Sequence, residues 1–135
     1  MSNALYDKGR ERFLTGQVNW LTDTIKVSLI DTNDYSFSQT HEYYSSVVVV
    51  PSAVVATGTL AGKNAANGVA DANDLTLTGV SGDASEALII WKDTGDSATS
   101  PLLAYIDTAT GLPVTPNSGD ITIVWDNGPN KIFKL

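Results

Sequence analysis

His41 is the only histidine in the chain, and it stands in the polar stretch Gln39-Thr-His-Glu42. A serine or cysteine hydrolase needs an imidazole base held by a third group. No motif pairs His41 with an activated serine, and the chain has no cysteine. His41 is therefore expected as an exposed loop residue. One histidine without cysteine also excludes thiolate and histidine-rich zinc sites. Gly58-Thr-Leu-Ala-Gly-Lys63 looks superficially like a phosphate-binding loop. It has one residue too few between its glycines, Asn64 stands where Ser or Thr should be, and no helix follows. Asp31-Thr-Asn-Asp34 and Asp71-Ala-Asn-Asp74 repeat one pattern whose oxygens could reach calcium. Neither continues into the central glycine and terminal glutamate of a calcium loop, so both are expected as Asx-stabilised turns at strand ends. No carboxylate spacing marks a paired acid and base. Trp20, Trp91 and Trp125 lie in or beside predicted strands, as core or as a sugar-stacking platform. The residues thus assign no catalytic, cofactor-binding or metal-binding role.

What remains is recognition. Tyr35, Phe37, Tyr43 and Tyr44 crowd the segment Thr32 to Val50, which has no strand periodicity. They are expected either to contact a neighbouring subunit or to plug one end of the fold. Tyr6, Arg10 and Arg12 belong to an N-terminal segment expected either to anchor the protein on a partner or to cap the β-body. Arginine suits the first role because its planar fork holds a carboxylate bidentately.

The elements that must position these residues follow from periodicity. Residues 4–14 read as the one helix, with Asn3 as N-cap, Leu5, Gly9 and Phe13 on one face, and Gly16 placed to end it. The rest reads as strands. Thr24–Asp31 puts Ile25, Val27 and Leu29 on one face and Lys26 and Ser28 on the other; residues 119–127 and 75–77 alternate likewise. Segments 86–93 and 102–107 are apolar on both faces, which suits strands buried between two layers. Residues 54–60 and 131–135 complete the set, with 17–20 as a candidate for one more short strand. Asn127-Gly-Pro-Asn130 reads as a tight hairpin, with turns at Asn67-Gly68, Ser81-Gly-Asp83 and Thr110-Gly-Leu-Pro113. Thr32–Val50 and Ala61–Asn73 read as long loops. The reading is an all-β domain of about eight antiparallel strands over 17–135, with a helical segment at 1–16.

The 135 residues suit one domain, and 42% hydrophobic content argues against disorder. Net charge is −7. Residues 1–14 carry net +1, the last five +2, and the body between them −10. An acidic body is a poor partner for nucleic acid. The start of the sequence lacks a secretory pattern, and apolar runs such as Val47–Val50 are too short for a bilayer, so no membrane role is expected.

Several runs carry a resemblance. Ala4-Leu-Tyr-x-x-Gly-Arg-x-x-Phe-Leu-x-Gly16 is followed by Trp20, Asp23-Thr-Ile-Lys-Val-x-Leu-Ile-Asp31 and Tyr35. Asn67-Gly-Val-Ala-Asp71, Ala87-Leu-Ile-Ile-Trp-Lys-Asp-Thr-Gly95 and Leu103-Ala-Tyr-Ile-Asp107 come next, and Trp125-Asp-Asn-Gly-x-Asn-Lys-Ile-Phe-Lys-Leu135 ends the chain. Together these resemble small virion structural proteins of tailed bacteriophages, similar to capsid cement or decoration proteins of jelly-roll type. The resemblance implies a jelly-roll-like β-sandwich on the outer surface of a capsid. It also implies a major capsid protein as partner and no catalytic residues. The alternative is a tail or fibre component that binds a host glycan. Homo-oligomers are expected, dimers before trimers.

Overall fold

The computed structural model describes residues 3–108, 112–125, 129 and 131–135. Its centre is a five-stranded antiparallel sheet of β1 (Ala4–Leu5), β2 (Ile25–Ile30), β3 (Val54–Thr59), β7 (Ala87–Lys92) and β8 (Leu102–Ile106), in the order β1-β8-β7-β2-β3. Two small antiparallel sheets lie over one face. One is β10-β5-β4, built from β4 (Asn64–Ala66), β5 (Val69–Asp71) and β10 (Phe133–Lys134); the other pairs β6 (Leu75–Leu77) with β9 (Ile121–Ile123). Helix α1 (Asp7–Leu14) packs on β8. The protein is all-β and sandwich-like, with one short helix. No helix among the described residues is long and apolar enough to cross a membrane.

Alternation explains why the central sheet is buried on both sides. On β2 and β7, Ile25, Val27, Leu29, Leu88 and Ile90 face the small sheets and join Ala70, Leu77, Ile123 and Trp125 in the first core cluster. Ile30, Ala87, Ile89 and Trp91 face the other way. The layer they meet is not a sheet. The segment 32–53 lies there, with Tyr35, Tyr44, Val47 and Ala53 forming a second cluster together with Tyr6 and Tyr105. Two short 3-10 turns, Tyr44–Ser46 and Pro51–Ala53, shape this segment.

Five expectations are corrected. The helix starts at Asp7, not residue 4, and Asn3 does not cap it. Ala4 and Leu5 instead pair with Tyr105 and Ala104. The Asn3 Oδ1 accepts the backbone N–H groups of Asp107 and Thr108, both at 2.9 Å, which fastens the chain start to the end of β8. Residues 17–20 form no strand. The supposed loop Ala61–Asn73 contains the β4–β5 hairpin, turned by Asn67 (φ 54°) and Gly68 (φ 79°), a pair suited to left-handed backbone. Among the described residues of 119–127, the alternation yields a strand at Ile121–Ile123 alone. The expected hairpin at 127–130 falls mostly outside the described residues. Its flanking strands belong to different sheets, β9 pairing with β6 and β10 with β5, because each finds its apolar neighbours there.

The helix ends as expected. The Gly16 N–H (φ 75°) reaches the Phe13 carbonyl and the Gln17 N–H reaches the Arg12 carbonyl, a Schellman closure. Gly9 lets the helix approach β8. There, Ile90 pairs with Ala104 and Trp91 with Leu102, leaving Leu103 as a bulge. The Leu103 carbonyl accepts the Tyr6 N–H at 3.0 Å. A Cβ on Gly9 would stand 2.6 Å from the Leu102 carbonyl oxygen.

Candidate functional site

The structure brings six of the seven expected recognition residues together where helix α1 meets segment 32–53. The Tyr6 hydroxyl contacts that of Tyr35 at 3.0 Å, and the Tyr35 hydroxyl contacts His41 Nδ1 at 2.8 Å. His41 is thus half-buried in a hydrogen-bond chain, not an exposed loop residue as expected. Phe37 stacks on Tyr105 with centroids 4.6 Å apart and touches Tyr6 at 5.2 Å. Tyr44 stacks on Trp91 at 3.8 Å and shares a 2.9 Å hydrogen bond with Ser28 Oγ. Arg12 Nη2 donates to Glu42 Oε1 at 2.9 Å and to the Tyr43 hydroxyl at 3.0 Å, tying the helix to the segment.

These positions divide by burial. Tyr6, Tyr35 and Tyr44 are interior and hold the fold. Phe37, Tyr43 and Arg12 are half-buried, so part of each reaches the surface. Arg10 alone is exposed, and its guanidinium has no hydrogen bond or ion pair among the described residues. Electrostatics follow position. Burial, then the neighbouring Tyr35, push the Tyr6 phenol far above its usual range. Burial also raises Tyr35 and Tyr44, and lifts Tyr105 to about 12. The hydrogen bond from Arg12 holds the Glu42 carboxyl below its ordinary value.

The end of the sheet where β2 leaves and β7 begins is acidic. Asp31 Oδ1 accepts the Asn33 N–H at 2.9 Å, the expected Asx turn, and Asp34 accepts Ser52 Oγ at 2.7 Å. Glu86 accepts both the backbone N–H and the hydroxyl of Thr32. One carboxylate oxygen each from Asp31, Asp34 and Asp83 lie within 4.8 Å of one another, a spacing that could hold a cation. Asp83 comes from a turn some fifty residues further along the chain, so local spacing gave no signal of it. The second Asp-x-Asn-Asp copy is structural: Asp74 Oδ1 accepts the Trp125 N–H at 3.0 Å, and the Asn73 carbonyl accepts its indole N–H at 3.1 Å.

The opposite end is charge-balanced and apolar. Lys26 pairs with Asp93 at 3.0 Å and Lys92 with Asp23 at 3.2 Å, while Lys63 donates to the Asp23 carbonyl. The hydrogen bond from the Gly95 N–H, then Lys26, hold Asp93 below its usual value. By contrast Asp31, Asp34, Asp83 and Glu86 have no lysine or arginine partner among the described residues. Beside the paired charges, Phe133 touches Phe13 at 5.8 Å and Trp20 at 5.3 Å, joining the C-terminal strand to the helix and to segment 17–23. All three tryptophans are buried with their indole N–H bonded, to Asp71 O, Ser28 Oγ and Asn73 O respectively. They serve as core, the first of the two expected uses.

No protein-family model matches the chain, and no curated protein matches it.

Proposed function

We propose that the protein is a virion structural protein of a tailed bacteriophage, a cement protein bound to the outside of the major capsid protein shell. The observation that carries this reading is the run of resembling segments from Ala4 to Leu135. The architecture agrees with such a role. The central sheet is covered on both faces, and the N-terminal strand and helix are fastened to it. His41, the residue with most catalytic potential, is bonded to Tyr35 instead. Many copies on a lattice hold by avidity even where each contact is weak. The three tryptophans are buried in the core, so they supply no stacking platform for a glycan.

The test mixes the purified protein with phage shells that lack it. Co-sedimentation with shells, and density for this chain on the shell surface by electron microscopy, are expected. Failure to bind shells, or density confined to the tail, overturns the reading.

A further inference from the structure

The three-stranded sheet β10-β5-β4 has one face in the core and one in solvent. Ala70 is buried in the first core cluster, and its cross-strand partner Phe133 packs against that cluster. Their neighbours along each strand therefore face outward. Lys134, Val69 and Ala66 form one cross-strand row on that outer face, and Asp71 with Asn64 forms the next. Together with Asn67 and Lys131 they line a shallow, open groove of about 280 Å³.

Two independent observations mark this groove. The first is its cations. Lys8, Lys26 and Lys92 are each paired with a carboxylate, and Lys63 donates to the Asp23 carbonyl. The ammonium groups of Lys131 and Lys134 have no ion pair or hydrogen bond among the described residues, on a chain of net charge −7. The second is the backbone. Among the described residues, three that are not glycine have left-handed backbone, and two of them, Asn67 (φ 54°) and Lys131 (φ 47°), line the groove. Asparagine takes this conformation readily, whereas lysine takes it at a cost that glycine would not incur. Strain of this kind persists and clusters where side chains are used in function.

The lining selects the occupant. Two ammonium groups call for carboxylates, and the half-buried Asp71 carboxylate calls for a hydrogen-bond donor. A simple anion would meet Asp71 as a like charge. A sugar finds no aromatic ring to stack on among the described lining residues, because the apolar floor is Ala66 and Val69. An extended peptide supplies every element: side-chain carboxylates for the lysines, a backbone N–H for Asp71, and peptide groups that pair with the Asn64 and Asn67 amides. We propose that this groove binds an extended acidic segment of a partner protein.

Binding needs no phage particle, so it is tested on the full chain alone, apart from the virion reading. The probe is a blocked hexapeptide of alternating glutamate and alanine, titrated at low salt into the isotopically labelled protein. The amide resonances of Asn64, Val69, Lys131 and Lys134 should shift together, with half-saturation below about 1 mM, and added sodium chloride should weaken the binding. Lys134→Ala should lower the affinity by about tenfold with the melting temperature unchanged. Lys131→Gly should lower it as much while melting at or above the parent's temperature, since glycine relieves the left-handed backbone. A lysine with a structural role alone would not lose affinity while keeping stability. Lys8→Ala, which removes an exposed cation on α1, should change neither property. Shifts that are absent at several times that peptide concentration, or that centre on another face, overturn the proposal. So does Lys131→Gly binding as tightly as the parent. Inorganic phosphate or glucuronate binding the same groove more tightly than the peptide overturns it as well, and assigns the groove to a simple anion or an acidic sugar.

Discussion

The Tyr6, Tyr35 and His41 side chains form a hydrogen-bond chain that runs from the interior to a half-buried imidazole. Its members are not equivalent. Tyr6→Phe removes the inner end and leaves Tyr35 bonded to His41. Tyr35→Phe removes the middle and leaves the fully buried Tyr6 hydroxyl without its partner. An orphaned buried hydroxyl costs about 1–3 kcal/mol, so urea unfolding should show Tyr35→Phe to be the more destabilising of the two. Equal stability of both variants and the parent would contradict this. Alkaline pH acts on the same groups. The raised phenols of Tyr6, Tyr35 and Tyr44 stay neutral in the folded state. Their contribution is fully present below the unfolded value of about 10 and is lost as pH rises above it. These phenolates should therefore appear with unfolding, not before it; phenolate absorbance tracked beside circular dichroism measures both. The aromatics of segment 32–50 are conspicuous in the sequence, but their burial is not legible there. A segment without periodicity gives no inward face, and its layer is set by the outer side chains of β7 and β8.

Gly9 decides how α1 meets the sheet. By helix propensity alone, Gly9→Ala should stabilise by about 1 kcal/mol. The new Cβ would instead meet the Leu102 carbonyl oxygen at 2.6 Å, in backbone held by β1 on one side and β7 on the other. Close backbone contact wins, and a net loss of about 1–3 kcal/mol is expected. A melting temperature at or above the parent's would show that the helix yields freely. The contact bears on what a sequence can reveal. Strands β2, β7 and β8 are legible because alternation or two-sided apolarity marks them directly. Strand β1 is not, since two residues carry no period and only pairing with β8 makes Ala4–Leu5 a strand. The β4–β5 hairpin was hidden for another reason: Asn64, Ala65 and Ala66 are exposed and of low strand propensity, so only the Asn67-Gly68 turn announced it. The acidic trio was half legible, since the Asx turn at Asp31 is local while Asp83 arrives through the fold.

At the scale of the molecule, the N-terminal segment is part of the body as well as a candidate for recognition. Residues 1–14 supply β1, the fully buried Tyr6, the Arg12 link to Glu42 and the Phe13 contact with Phe133. Burial of one large apolar side chain is worth about 1.5–3 kcal/mol. Loss of Leu5, Tyr6 and Phe13 together approaches the whole stability of a domain, about 5–15 kcal/mol. Deletion of residues 1–14 should therefore leave a chain that is unfolded or nearly so, with flat thermal melts, and its failure to bind a shell would say nothing about recognition. Arg10 separates the two roles. Its side chain is exposed and has no partner among the described residues, so Arg10→Glu should change stability by no more than about 0.5 kcal/mol. If the helix orients the protein on carboxylates of a shell, the reversed charge should abolish co-sedimentation in low salt while the melt stays at the parent's temperature. Binding equal to the parent's, with an unchanged melt, would leave α1 as the cap of the sandwich alone and move the search for the shell contact to the half-buried pair Phe37 and Tyr43.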